Sequence, residues 1–245
     1  MVTRLLLAAF ALLGFPVAAA ETQVAVAANF TEPAREIAAA FTKATGHTAV
    51  LSFGSSGAFY TQMAHGAPFE VFLSADADRP KQAEQDGLGV PGSRFTYAIG
   101  RLMLYSTTPG LVDDGGAVLR TGGFAHLSIA DPTAAPYGAA AIQTMQNLKL
   151  YPALLPRIVR GSSITQAYQF VATGAAELGF VAQSQIVKVP GGSRWLVPAR
   201  LHKPIDQQAI LLRTGARNPA AAAFVKFLKG PEARAIIRHY GYEVR

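Results

Sequence analysis

The chain of 245 residues contains no cysteine. That absence excludes disulfides, thiolate metal sites and cysteine nucleophiles, and it excludes a lipid anchor on a cysteine after a leader. Histidine is scarce as well. The five, at positions 47, 65, 126, 202 and 239, show none of the spacings that gather imidazoles around a metal ion. Beyond the first twenty residues, no run is long and apolar enough to span a bilayer. There is no Walker phosphate loop and no Rossmann glycine fingerprint, and Gly54-Ser55-Ser56-Gly57 is not the Gly-x-Ser-x-Gly elbow of a hydrolase. Lys and Arg nowhere cluster with stacking aromatics, so nucleic acid is not an expected partner.

What is present points to an exported α/β protein. Arg4, the apolar run Leu5 to Leu13, the break at Gly14 and Pro16, and the site Ala18-Ala19-Ala20 read together as a secretory leader over residues 1–20. The mature chain would begin near Glu21, and an unanchored exported chain belongs in a periplasm. The net charge of +7 serves solubility or a mild attraction for anions. Half of the residues are hydrophobic, enough for one large domain or two small lobes. The 23 Gly and 15 Pro favour many short elements over a long helical bundle.

Short apolar strands alternate with helical patterns. Strands are predicted at 23–27, 48–53 and 70–74, each followed by a helix (33–44, 58–65 and 80–85). The pattern blurs from Gly89 to Gly100. It resumes with strands at 101–106, 127–130, 157–159, 178–181 and 195–198, and helices at 139–148 and 165–173, with a loop over 109–123. A strand at 207–212 and helices at 219–228 and 231–240 close the chain. Such alternation implies parallel sheets covered by helices. Two units of similar size suggest two lobes, residues 21–98 with 206–245 and residues 99–205, with a ligand cleft at the carboxyl ends of the strands.

Four strand-to-helix junctions share one composition: Ala28-Asn29-Phe30-Thr31, Gly54-Ser55-Ser56-Gly57, Ala135-Pro136-Tyr137-Gly138 and Gly161-Ser162-Ser163-Ile164. Each is small, polar and uncharged. One reading is ordinary helix capping, for which Ser and Asn are favoured anyway. The other is an anion site, because a helix start offers free N–H groups and partial positive charge. Asn29 and Ser56 would add side-chain donors. A fully ionised tetrahedral dianion presents only acceptors, so a site of neutral donors without carboxylates suits it. Asp76 and Asp78 fit a cation or a helix cap, with capping preferred. Asp131 before Pro132 reads as a turn residue, and Arg160 as solvated or paired. An exported hydrolase with Ser56 as nucleophile would need a base, and no histidine is placed to supply one.

Several stretches, in their order and spacing, carry a family resemblance: Ala27-Ala28-Asn29-Phe30, Ser52-Phe53-Gly54-Ser55-Ser56-Gly57, Val71-Phe72-Leu73-Ser74-Ala75-Asp76, Pro91 to Gly100, Asp131-Pro132 with Ala135-Pro136-Tyr137-Gly138, and Glu177-Leu178-Gly179-Phe180-Val181. The chain resembles the periplasmic molybdate-binding proteins of ABC-type importers over nearly its whole mature length. The resemblance implies a two-lobed type II periplasmic-binding fold and molybdate or tungstate held between the lobes. Protein ligands to the metal ion and a cofactor are not implied. By position the contacts would be Asn29 and Ser56 from the first lobe and Tyr137 and Ile164 from the second, the latter two mainly through backbone N–H. The partner would be a membrane permease, and the protein a monomer. Where some members carry Thr and Tyr, this chain has Ala28 and Ala182, so two side-chain donors are missing. Receptors for sulfate or phosphate are the nearest alternatives.

Overall fold

The computed structural model describes residues 19–244. The leader read over residues 1–20 therefore lies almost wholly outside the described residues. Among these, no helix is long and apolar enough to cross a membrane.

The first half runs β1 (Glu21–Ala27), α1 (Thr31–Thr45), β2 (Thr48–Gly54), α2 (Ser56–Ala64), β3 (Val71–Leu73), α3 (Asp78–Gln85) and β4 (Phe95–Gly100). A single residue, Arg101, separates β4 from β5 (Leu102–Ser106), which begins the second sheet. There follow α4 (Val118–Thr121), β6 (Leu127–Ala130), α5 (Pro136–Asn147), α6 (Tyr151–Leu154), β7 (Ile158–Gly161), α7 (Ile164–Ala172), β8 (Leu178–Ala182), α8 (Gln183–Ile186) and β9 (Ser193–Leu196). The chain returns through β10 (Ile205–Leu211) and ends in α9 (Pro219–Leu228) and α10 (Pro231–His239).

There are two five-stranded sheets, in the orders β2-β1-β3-β10-β4 and β7-β6-β8-β5-β9. They are mixed, which corrects the expectation of parallel sheets. β10 is antiparallel to β3 and β4, and β5 is antiparallel to β8 and β9. The reason is directional. Strands that run toward the other lobe are parallel to one another. A strand that has just arrived from that lobe must run the opposite way, and β5 and β10 are the two arrivals. β4, in the stretch where the sequence pattern blurs, pairs with β10 from Gly100↔Ile205 to Phe95↔Ala209 with a bulge at Gln207/Gln208. The outgoing and returning crossings are thus hydrogen-bonded neighbours. Tail residue Glu243 also bridges Ile99 and forms an ion pair with Arg101.

Each lobe has its own core. In the first, Val24, Val26, Ile37, Phe41, Val71 and Phe224 are fully buried between the sheet and helices α1, α9 and α10. Phe41 meets the edges of Phe224 and Phe227 at centroid distances of 5.2 and 5.7 Å. Helix α1 stops where Gly46 takes φ 74° and returns its N–H to the Thr42 carbonyl, a left-handed cap that suits a residue without Cβ. In the second lobe Leu104, Leu127, Ile129, Met145, Leu178 and Phe180 are fully buried. Central strands β3 and β8 are buried at every residue, as expected where helices cover both faces.

Phe41 joins α1 to α9. Phe41→Ala should cost about 3–5 kcal/mol of stability, measured by urea unfolding. A loss below about 1 kcal/mol would show that this aromatic contact does not anchor the first lobe.

Candidate functional site

The four junctions converge. Asn29 is the second residue of a 3-10 turn (Ala28–Phe30) between β1 and α1, Ser56 opens α2, Tyr137 is the second residue of α5, and Ile164 opens α7. At these positions the backbone N–H has no acceptor within its own helix. All four residues border one very small cavity between the lobes. None of the lining residues is charged. A larger groove outside it, bordered by Gly57, Tyr60, Arg79 and Thr133, is open to solvent and offers a ligand little desolvation.

Ordinary capping explains only one junction. The Ser163 side chain accepts from the Gln166 N–H and caps α7. The helix starts at Ala27, Phe30, Ser55 and Ala135 carry no side-chain cap. Ser56, 1% exposed, accepts at Oγ from the Ala75 N–H at 2.9 Å. With that lone pair occupied, its own proton is free to be donated.

Asn29 departs from expectation. Its side-chain NH2 is not a donor to the cavity. Both hydrogens are committed inside the protein, to Gln207 Oε1 at 2.8 Å and to Tyr242 Oη at 2.9 Å. What Asn29 can offer a guest is its backbone N–H.

The lobes are closed on each other. Gly57 N–H donates to the Ala134 carbonyl at 2.9 Å, Arg79 to the Thr133 carbonyl at 2.7 Å, Ser184 Oγ to the Asn29 carbonyl at 2.7 Å and Thr165 Oγ1 to the Ala28 carbonyl at 3.3 Å. Asp76 serves this closure by accepting from the Arg79 N–H and pairing with its guanidinium, which places it in the helix-capping role rather than at a cation. Asp131 accepts from the Thr133 N–H and hydroxyl. Those bonds hold its carboxyl below the usual range and shape the turn that presents the Thr133 and Ala134 carbonyls. Arg160 is exposed and lines no part of the cavity. Among the described residues, no group of three or more His, Asp or Glu is arranged to hold a metal ion.

Sequence reasoning missed the polar cluster behind the cavity: Tyr97, Ser184, Gln207 and Tyr242 with Asn29, all buried. Burial pushes the Tyr97 and Tyr137 hydroxyls well above their ordinary pKa, and the Tyr242 hydroxyl to about 12. All three therefore remain protonated donors at neutral pH. Gln207 and Tyr242 lie 178 and 213 positions from Asn29, and no local pattern marks them.

Known proteins resemble this chain over nearly all of its described length. The chain is 60% identical over 230 residues to the molybdate-binding protein ModA of Rhodobacter capsulatus, covering 94% of this chain and 91% of that one. It is 57% identical over 227 residues to ModA of Azotobacter vinelandii, covering 91% and 90%. Among solved structures, the periplasmic molybdate-binding protein of Azotobacter vinelandii superposes with a TM-score of 0.89 at 44% identity, covering 91% of this chain and 99% of that one. Residues 22–243 match the family described as bacterial extracellular solute-binding protein, and the chain belongs to that family.

Proposed function

We propose that this protein captures molybdate or tungstate in the cavity between its lobes and delivers it to the membrane permease of an ABC-type importer. The observation that carries the reading is the cavity's make-up: four helix starts, two from each lobe, border it, and no charged side chain does. The molybdate-binding relatives described above support the same ligand class. Asn29, Ser56, Tyr137 and Ile164 donate backbone N–H groups, and Ser56 adds its hydroxyl. On this reading the leader is cleaved on export, and the mature protein works as a periplasmic monomer without a cofactor.

The chemistry favours a dianion that is fully ionised near neutral pH. Each charge-assisted hydrogen bond contributes roughly 1.5–3 kcal/mol. Several of them offset desolvation of the anion and still leave the about 8–12 kcal/mol that micromolar to nanomolar binding needs. Phosphate carries a proton over part of that pH range and would want an acceptor, and no carboxylate lines the cavity. Sulfate is smaller than molybdate. Donors fixed on helix starts cannot follow it inward, so its hydrogen bonds stretch. Hydrolysis by Ser56 lacks a base, since its Oγ is bonded by the Ala75 N–H and not by an imidazole.

Calorimetric titration at neutral pH should give micromolar or tighter binding of molybdate and tungstate, with sulfate at least about tenfold weaker, a gap of about 1.4 kcal/mol. Equal sulfate affinity would end the size argument. Ser56→Ala should weaken molybdate about tenfold or more through one lost charge-assisted bond, read in the same titration. An unchanged affinity would remove that hydroxyl from the site. Asn29→Asp places a carboxylate where the side-chain amide now donates to Gln207 and Tyr242, and beside the bound dianion. Binding should fall by more than in Ser56→Ala. Retention of wild-type affinity would mean that the anion does not approach this junction.

A further inference from the structure

Gln207 lies on β10 behind the cavity and is fully buried. Its amide addresses both lobes at once. Oε1 accepts from Asn29 Nδ2 at 2.8 Å and from Tyr97 Oη at 3.0 Å, both in the first lobe. Nε2 donates across the interface to Tyr137 Oη at 3.2 Å, in the second. Reversing this amide alone would set its NH2 against the NH2 of Asn29, donor against donor. The residues it joins are Asn29 and Tyr137, whose helix starts border the cavity from opposite sides.

We propose that Gln207 is a positioning residue that fixes the separation of the two lobes around the anion and thereby sets its size selectivity. The inference rests on the oxyanion reading given above. Ser184 also joins the lobes in the buried interior, to the Asn29 carbonyl and Tyr242, but it does not border the cavity, whereas Gln207 reaches a bordering residue on each side. Arg79 and Lys188 bridge the lobes with side chains that are 21% and 54% exposed, where water competes for every partner. The Gln207 amide is dry, planar and held at both ends. It also packs at the crossing between the lobes: a Cβ on Gly100, the last residue of β4, would collide with both the Tyr137 hydroxyl and the Gln207 amide. The outgoing strand, the returning strand and the second-lobe helix start are thereby kept at one spacing. If the amide is lost, Tyr137 loses its donor, Asn29 loses an acceptor, and the lobes gain freedom to settle around a smaller guest.

The test compares Gln207→Met, which keeps length and removes both hydrogen-bonding functions, with Tyr137→Phe, which removes the hydroxyl that accepts from Gln207 and also pairs with Tyr242. Ser56→Ala serves as a reference. The full mature protein is titrated with molybdate and with sulfate, and the molybdate off-rate is followed by stopped-flow fluorescence. Both variants should bind molybdate about tenfold more weakly with faster release, and the preference for molybdate over sulfate should narrow. An unchanged preference, with or without a general loss of affinity, overturns the proposal, because a merely structural glutamine would give that result. Should Gln207→Met fail to fold, Gln207→Glu, which keeps the shape and removes the donor to Tyr137, takes its place, and an unchanged preference for molybdate in it overturns the proposal. If Ser56→Ala loses binding while the other two match wild type, the role of Gln207 fails by itself. If Ser56→Ala also binds normally, the cavity assignment fails and this inference falls with it.

Discussion

A doubly negative guest taken out of water must find hydrogen-bond donors in place of its hydration shell, and the rest of this molecule is organised around supplying them without charge. Helix starts are a ready source, because their first N–H groups have no acceptor in their own helix and point outward together. Neutral donors also suit reversible capture. A lysine or arginine in the cavity would hold the anion harder, but a receptor that hands its cargo to a permease must let go when its lobes separate. On the proposed reading, the uncharged lining of the cavity answers that requirement, and the Ala75 N–H bond leaves the Ser56 hydroxyl proton free to donate.

The fold follows from needing such donors on two sides. Strands that run toward the interface deliver their following helix starts to it, so each lobe contributes two junctions. The chain must then cross between lobes and return. It does so through the adjacent strands β4 and β10, with the C-terminal tail paired alongside at Ile99. Neighbouring crossings leave the lobes free to hinge about one line. The closed arrangement is held at the rim by Arg79 reaching the Thr133 carbonyl, with Asp76 bracing the guanidinium. In the interior it is held by buried tyrosine, glutamine and asparagine side chains that satisfy one another.

Much of this is legible in the order of the amino acids alone. Apolar strands alternating with helical patterns mark the α/β class, and glycine at position 46 marks the end of the first helix through its left-handed φ. The junctions at 28–31, 54–57, 135–138 and 161–164 stand out because small uncharged residues at a helix start are a local signal. What escapes is non-local. The antiparallel entry of β5 and β10 depends on which lobe the chain has just left, and composition does not encode that. β4 lacks clean alternation because both of its faces are partly buried. The direction of the Asn29 amide is hidden for the same kind of reason: its partners, Gln207 and Tyr242, come from β10 and the C-terminal tail, far along the chain.

Whether backbone N–H groups from both lobes grip the anion is tested most directly by an amide-resolved NMR titration with molybdate. Large downfield shifts and slowed hydrogen exchange are expected at the amides of Asn29, Ser56, Tyr137 and Ile164 together. Perturbation confined to one lobe, or centred on Arg79 and the outer groove, would contradict the account.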